Sequence, residues 1–176
     1  MIKELMRLPP QQRSLSENLP LDFALDSDER IQAGLWLWKI RPSDWDNALK
    51  LAQIFDDTHM WVIGADDPGE FYIERQSFIS PWSSENPVDH VPIKNFPHMA
   101  LGREHAVSLT YVKATGAPLF QRVGVIYEDV YCAYIRLICP IHEPSGLITK
   151  AYSVVFNETS RVVPCPVDQL IASNGD

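Results

Sequence analysis

Apolar residues recur at helical spacing in two successive stretches, one on each side of Pro42. The first opens on residues 26–29 (Asp-Ser-Asp-Glu), which supply the acceptors and negative charge typical of a helix start. Its apolar positions stand at i, i+4 and i+7: Ile31, Leu35 and Trp38. Ser43-Asp44 repeats the start signal ahead of Trp45, Leu49 and Ala52. Two helices are therefore predicted, the first ending before Pro42 and the second at about Asp56.

The pattern then changes to short runs of aromatic and β-branched residues. Residues 59–63 and 70–74 are such runs, and they flank the turn-forming residues 66–69 (Asp-Asp-Pro-Gly). Together they predict a β-hairpin in which the two aspartates are turn residues. Prolines and turn formers crowd residues 76–97 too closely for a long regular element. A loop with short helical turns is predicted there.

The most regular helical pattern lies between Pro97 and Gly116. One face carries positions at steps of three and four: His98, Leu101, His105, Leu109 and Val112. Pro97 suits a first helical position, and Gly116 suits a C-terminal stop. Three strands follow, at about residues 118–127, 131–141 and 147–157, and they predict an antiparallel meander.

These elements divide the chain into four segments. Residues 1–25 are interrupted by prolines and glutamines, and we expect a flexible lead-in with little packing. Residues 26–57 are predicted to be an N-terminal helical segment, residues 58–157 an α+β domain, and residues 158–176 a tail.

Charge and hydropathy narrow the classes of function. The 176 residues carry a net charge of -8, which repels phosphate backbones and anionic membrane surfaces, so nucleic-acid binding is not expected. The first residues lack the apolar core of a signal peptide, and no apolar run approaches the roughly 20 residues that span a membrane. We therefore expect a cytoplasmic protein that does not enter the membrane.

The cysteines fit that compartment. Cys132 and Cys139 share one predicted strand, about 23 Å apart at about 3.3 Å per residue, so they cannot form a disulfide with each other. Reduced thiols are the rule in the cytoplasm, although a disulfide between Cys165 and either of the others stays open.

The predicted order is two strands, a loop-rich stretch, one long helix and three antiparallel strands, and it resembles the PAS fold. Residues 114–123 contain a Gly-x-Pro crossing from helix to strand, and residues 134–141 contain the pattern Tyr-x-Arg-Leu-x-x-Pro. Both stretches are similar to a bacterial PAS-like family. Residues 35–38 (Leu-Trp-Leu-Trp), followed by residues 41–43 (Arg-Pro-Ser), are similar to the Trp-bearing leading helix and connector of that family. The likeness runs from about residue 28 to residue 157.

The resemblance implies a five-stranded antiparallel sheet with helices on one face, here with an N-terminal helical extension. It also implies a sensory domain in bacterial signal transduction, which binds a small ligand or a signalling protein. No kinase, cyclase or DNA-binding segment is recognised in these residues, so we expect a stand-alone domain that passes its signal to a separate partner. The sequence does not distinguish such a sensory domain from an adaptor module that binds no ligand.

A ligand cavity between helix and sheet would be lined by aromatic residues and one histidine of the predicted domain: Trp61, Phe71, Tyr72, His105, Tyr111 and Tyr134. Tyrosine hydroxyls would orient a polar ligand in such a cavity. Ordinary core packing explains the same aromatic residues equally well.

The resemblance leaves the cofactor unknown. Haem is one candidate, because some PAS sensors ligate it through a histidine on the helix before the last three strands. His105 would be the axial ligand rather than His98. The two lie about 10 Å apart along the helix axis and could not share one metal ion. Cys139 and Cys165 each precede a proline, a dipeptide that binds haem in some proteins. A partly buried histidine and prolines at a strand end and in a tail explain the same residues without haem.

Enzyme motifs do not occur in the sequence: there is no phosphate-binding glycine-rich loop, no Gly-x-Ser-x-Gly and no cysteine pair at zinc spacing. An isomerase or dehydratase with His105 or His98 as base and one carboxylate remains the alternative. We expect a binding domain rather than an enzyme.

Large apolar residues follow each other too closely in the first helix for one helix face to bury them all: Leu35, Trp36, Leu37 and Trp38. A second copy of the chain would cover the excess. We therefore expect a homodimer that forms through Leu35, Trp36 and Trp38.

Overall fold

A computed structural model describes residues 1–55, 58–63, 70–75, 91–95, 99–127, 130–158 and 163–164. These residues form an α+β fold built on one antiparallel sheet. Its strands are β1 (Ser14–Asn18), β2 (Thr58–Ile63), β3 (Phe71–Arg75), β4 (Val91–Pro92), β5 (Leu119–Tyr127), β6 (Val130–His142), β7 (Ile148–Asn157) and β8 (Val163–Pro164). Neighbouring strands follow the order β1-β5-β6-β7-β2-β3-β4, and β8 pairs with β6.

The α-helices of the described residues are α1 (Ile2–Arg7), α2 (Glu29–Ile40), α3 (Trp45–Ile54) and α4 (Met99–Thr115). Asp28 caps α2 by accepting a hydrogen bond from the backbone N–H of Arg30 at 3.0 Å, and Asp44 caps α3 through Asn47 at 2.8 Å. Gly116 ends α4 with a φ of 64°, which favours glycine. The three helices predicted from apolar spacing are confirmed.

The predicted meander is also confirmed, because β5, β6 and β7 pair antiparallel in succession. β2 and β3 form the predicted antiparallel pair, while the predicted turn at residues 66–69 lies outside the described residues. Within the predicted loop, residues 76–90 also lie outside them, and Ile93–Asn95 form a single 3-10 turn.

The first 25 residues differ from the expected flexible lead-in. Ser14–Asn18 pair with β5 as an antiparallel edge strand, and Leu5 and Ala24 are fully buried. Two 3-10 turns, Pro10–Gln12 and Leu21–Asp26, complete the segment. Because the segment supplies ladder partners for an otherwise open sheet edge, it is part of the folded domain.

Helices cover both faces of the sheet, whereas the resemblance implied helices on one face. α4 packs on one face, which we call the α4 face, and α2 and α3 pack on the other, which we call the α2/α3 face. The sheet also has more strands than the implied five, since β1, β4 and β8 join it. Strand β6 explains the two layers: its residues from Cys132 to Ile141 are all buried, as expected for a strand that is covered on both sides.

Within the described residues, no helix is both long enough and apolar enough to span a membrane.

Candidate functional site

In the described part of the chain, the buried polar and charged residues lie on the α4 face. Among the described residues, the buried polar or charged residues are Ser14, His105, Ser108, Gln121, Arg136 and Ser153. His105 and Ser108 belong to α4, and the other four alternate along the strands so that they point towards it. A cluster of this kind is costly to bury unless it is hydrogen-bonded, and so it is the first candidate for a functional site.

Arg136 lies at the centre of this cluster and is fully buried. Its Nε donates to Oε1 of Gln121 at 3.0 Å, and its Nη2 donates to the same oxygen at 2.8 Å. Nη2 also donates to the hydroxyl of Ser108 at 2.9 Å, and Nη1 contacts Nδ1 of His105. The groups that accept from Arg136 are the amide oxygen of Gln121, the hydroxyl of Ser108 and Nδ1 of His105, and none of them carries a negative charge. In the described part of the chain, no carboxylate forms an ion pair with Arg136.

The cluster reaches the surface through β1. The amide Nε2 of Gln121 donates to Oδ1 of the exposed Asn18 at 2.8 Å. Glu104, half-buried on α4, accepts a hydrogen bond from the hydroxyl of Ser16. Because Glu104 is the carboxylate whose charge acts on Arg136, its engagement with β1 leaves the guanidinium without a directly bonded anion.

Burial alters the ionisation of the groups at this site. It lowers the pKa of Arg136, while the negative charge of Glu104 acts in the opposite direction. Guanidinium stays protonated at any physiological pH, so the lowered pKa reports the cost of burying the charge rather than its loss. Burial also raises the pKa of Tyr134 to about 12, so its phenol is neutral.

The contact with Arg136 fixes the tautomer of His105. A guanidinium has no acceptor, so Nδ1 of His105 must accept, and the imidazole proton then lies on Nε2. In this arrangement neither ring nitrogen has a lone pair left for a metal. The expected role of His105 as an axial haem ligand therefore does not fit the geometry, and neither does a role as general base.

The residues that were expected to line a cavity do not form one group. Phe71 and Tyr134 are buried in the core beneath α4. Tyr72 is half-buried, and its hydroxyl donates to Glu70 at 2.7 Å. Tyr111 is 49% exposed, so it faces away from the sheet, contrary to expectation. Trp61 belongs to β2, but its side chain lies outside what the structure describes.

The remaining candidates for haem chemistry fall elsewhere. Cys139 is fully buried in β6 on the α2/α3 face, and burial raises the pKa of its thiol to about 12. A thiolate that would bind iron is therefore disfavoured there. His98 and Cys165 lie outside the described residues. No group of three or more metal-binding side chains occurs in the part of the chain that was described.

The three residues expected at a dimer interface have different environments. Leu35 is 1% exposed and belongs to the core under α2, so the chain itself covers it, contrary to expectation. Trp38 is partly buried against the same core, with its ring 6.5 Å from that of His142. Trp36 is 55% exposed, and it is the one member of the three that a partner could cover.

Sequence reasoning missed Arg136, Ser108 and Gln121 as site residues. A signal was present, because Arg136 is the one charged residue in the predicted strand at residues 131–141. A charge in the middle of a strand that is otherwise apolar must be buried or must break the pattern. Its partners were not predictable, since they depend on the strand register and on the placement of α4.

Comparisons with family models, with curated proteins and with solved structures gave no match to this chain.

Proposed function

We propose that this chain is a cytoplasmic PAS-like sensory domain of bacterial signal transduction, which binds a small ligand between α4 and the sheet. The order of elements along the chain supports the proposal: β2 and β3, a connecting stretch, α4, and then the meander of β5, β6 and β7. The Gly-x-Pro crossing falls at the passage from α4 to β5, and the Tyr-x-Arg-Leu pattern falls in β6.

The observation that carries the proposal is the buried guanidinium of Arg136 with neutral partners. Removing an ion from water costs several kcal/mol, and a directly bonded counter-ion usually offsets part of that cost. The α2/α3 face of the same sheet is packed without a buried charged side chain in the described residues. A buried cation that is held by three neutral polar side chains is typical of a recognition site.

The enzyme alternative has less support. An isomerase or dehydratase needs a base with a free lone pair, whereas Nδ1 of His105 accepts from Arg136. Around the polar cluster, the α4 face is lined by apolar side chains in the described residues, and no carboxylate converges there with His105. An adaptor that binds no ligand does not need the buried polar cluster. The ligand screen described below distinguishes an adaptor from a ligand-binding domain.

A partner surface on α2 fits the same proposal. Trp36 is 55% exposed and Ile40 is 67% exposed, and they stand four residues apart on one helical face. We infer that a second copy of the chain covers this surface. Light scattering of Trp36→Ala should give a lower mass than the parent protein if the second copy is the occupant.

The test of ligand sensing is a nuclear magnetic resonance screen of the ¹⁵N-labelled protein against a library of small acids, amides, alcohols and aromatic compounds. Binding should shift amide signals of α4, β5 and β6 residues that surround Arg136 and leave signals of α3 unchanged. Mass spectrometry of a denatured extract of the same preparation would identify any ligand retained from the cell. A protein that carries no ligand and shows no shift on the α4 face would be an adaptor, and the proposal would be wrong.

A further inference from the structure

The geometry points to the class of ligand: we propose that the Nε–Nη2 edge of Arg136 binds the carboxylate of a small organic acid. In the structure, the side-chain amide of Gln121 occupies that edge in its place. This inference rests on the proposed sensory function and adds the chemistry of the ligand to it.

Gln121 occupies the edge that a carboxylate prefers. Carboxylates bind guanidinium groups through two parallel hydrogen bonds, one to each of two oxygens. In this protein a single amide oxygen of Gln121 accepts from both Nε and Nη2, at 3.0 Å and 2.8 Å. One neutral oxygen shared between two charged donors is a weaker arrangement than two oxygens that carry a negative charge. A carboxylate would therefore gain by displacing it.

Charge balance favours the same ligand. Arg136 is fully buried, and within the described residues no carboxylate bonds to it. Glu104, the acid whose charge acts on Arg136, is held by Ser16 of β1. An anionic ligand would neutralise the buried cation, whereas a neutral or cationic ligand would not.

The other polar groups can all keep a partner when the ligand is bound. Ser108 donates to Oε1 of Gln121 at 3.1 Å, and it could donate to a ligand oxygen at the same edge. Gln121 already donates to the exposed Asn18, so its side chain can turn towards β1 and the solvent while it keeps that hydrogen bond. The edge next to β1 is thus the route by which a ligand would reach Arg136.

A second, independent group on the α4 face lacks a partner. The hydroxyl of Ser153 is 1% exposed and has no hydrogen-bond partner in the described part of the protein. Ser153 is paired with Ile138 and Arg136 with Val155, so the serine is the diagonal neighbour of the arginine, about 7–8 Å away on the same face. Ser153 lies on the β7 side of β6 and Gln121 on the β5 side, so a ligand long enough to pass the guanidinium would satisfy this hydroxyl.

The test uses pairs of probes that differ only in charge. Butyrate and butyramide form one pair, and benzoate and benzamide form a larger one. We expect the acids to raise the thermal midpoint of the parent protein and to shift amide signals near Arg136, and we expect the amides to do neither. Equal responses to the acid and the amide of a pair would overturn the inference, because the guanidinium would then not be the recognition group.

Two substitutions of Gln121 should act in opposite directions. Gln121→Glu places a permanent carboxylate on the same edge, so it should raise the thermal midpoint without ligand and weaken butyrate binding at least about tenfold. Gln121→Ala vacates the edge, so it should tighten butyrate binding several-fold, to about tenfold. The second variant keeps the test decisive if the first does not fold.

Gln32→Glu is the matched control, because it makes the same change on α2, where Gln32 donates to the backbone of Ser27 at 2.7 Å. Butyrate binding should be unchanged in this variant. If Gln121→Glu and Gln32→Glu bind butyrate equally well, the Arg136 edge is not the site. If only neutral compounds shift signals on the α4 face, the carboxylate inference fails while the sensory function stands. If no compound binds, both fail.

Discussion

The α4 face and the α2/α3 face of the sheet are both covered by helices, yet they are filled with different kinds of side chain. The core under α2 and α3 is built from Ile, Leu, Val, Ala, Cys, Phe and Tyr. Every buried polar or charged residue of the described chain lies on the other face. Arg136 and Leu137 show the contrast within one strand. They are neighbours in β6, both are fully buried, and their side chains point to opposite faces of the sheet.

The contrast is the basis on which we assign stability to the α2/α3 face and propose ligand binding at the α4 face. The α2/α3 face gains from apolar burial and carries few polar atoms, of which the hydroxyl of Tyr152 donates to the backbone oxygen of Gly34 at 2.8 Å. The α4 face buries a cation with neutral partners, which costs stability relative to an apolar core. If both faces served stability alone, an apolar core would be expected on both of them.

The largest expected effect is that of Leu137→Ala on the α2/α3 face. Leu137 is fully buried among apolar side chains, so the substitution should lower the free energy of unfolding by about 2–5 kcal/mol. Urea unfolding measures the loss. Leu147→Ala is the control, since Leu147 is 62% exposed and its truncation should change the free energy of unfolding by less than about 0.5 kcal/mol. Similar losses for the two variants would mean that the α2/α3 face is not tightly packed.

A smaller loss is expected from Gly34→Ala, which tests how closely α2 approaches the sheet. A Cβ at Gly34 would lie 2.8 Å from Cγ2 of Val154 in β7. Overpacking of this kind costs about 1–3 kcal/mol, against a gain of about 1 kcal/mol in helix propensity, so a net loss of about 1 kcal/mol is expected. Urea unfolding of Gly34→Ala in the Val154→Ala background should show a smaller loss or a gain. An equal loss in both backgrounds would place the strain elsewhere.

Elements that are determined by local sequence patterns were predictable from the sequence. Elements that form only by pairing with strands distant in the sequence were not. Caps and apolar spacing predicted α2, α3 and α4 because both signals are local. Strand β1 was missed, since Ser14–Asn18 has neither β-branched nor aromatic residues and becomes a strand by pairing with β5.

The candidate site divides in the same way. His105 and Tyr134 were predicted as site residues from their places on the long helix and the central strand, and both are buried on the α4 face. Arg136 gave a visible signal as a charge within an apolar strand. Gln121 and Ser108 gave none, because the register of β5 against β6 and the packing of α4 bring them to Arg136.

The smallest expected effect compares one tyrosine from each face, Tyr134 and Tyr152. Burial raises the pKa of Tyr134 to about 12 and raises the pKa of Tyr152 as well, from a reference value of 10.0. The unfolded chain therefore loses these protons first, so stability should fall as the pH rises above 10 and should keep falling until the folded pKa is reached. Tyr134→Phe and Tyr152→Phe should each remove part of that fall.

Urea unfolding at about pH 8 and about pH 11 measures the difference between the two variants. At the lower pH, Tyr152→Phe should cost about 1 kcal/mol because it removes the hydrogen bond to Gly34, whereas Tyr134→Phe should cost less. At the higher pH, both variants should lose less stability than the parent protein. If Tyr134→Phe loses as much as the parent, Tyr134 ionises normally in the folded protein. Water would then reach the α4 face without a ligand, and Arg136 would be less desolvated than its buried position implies.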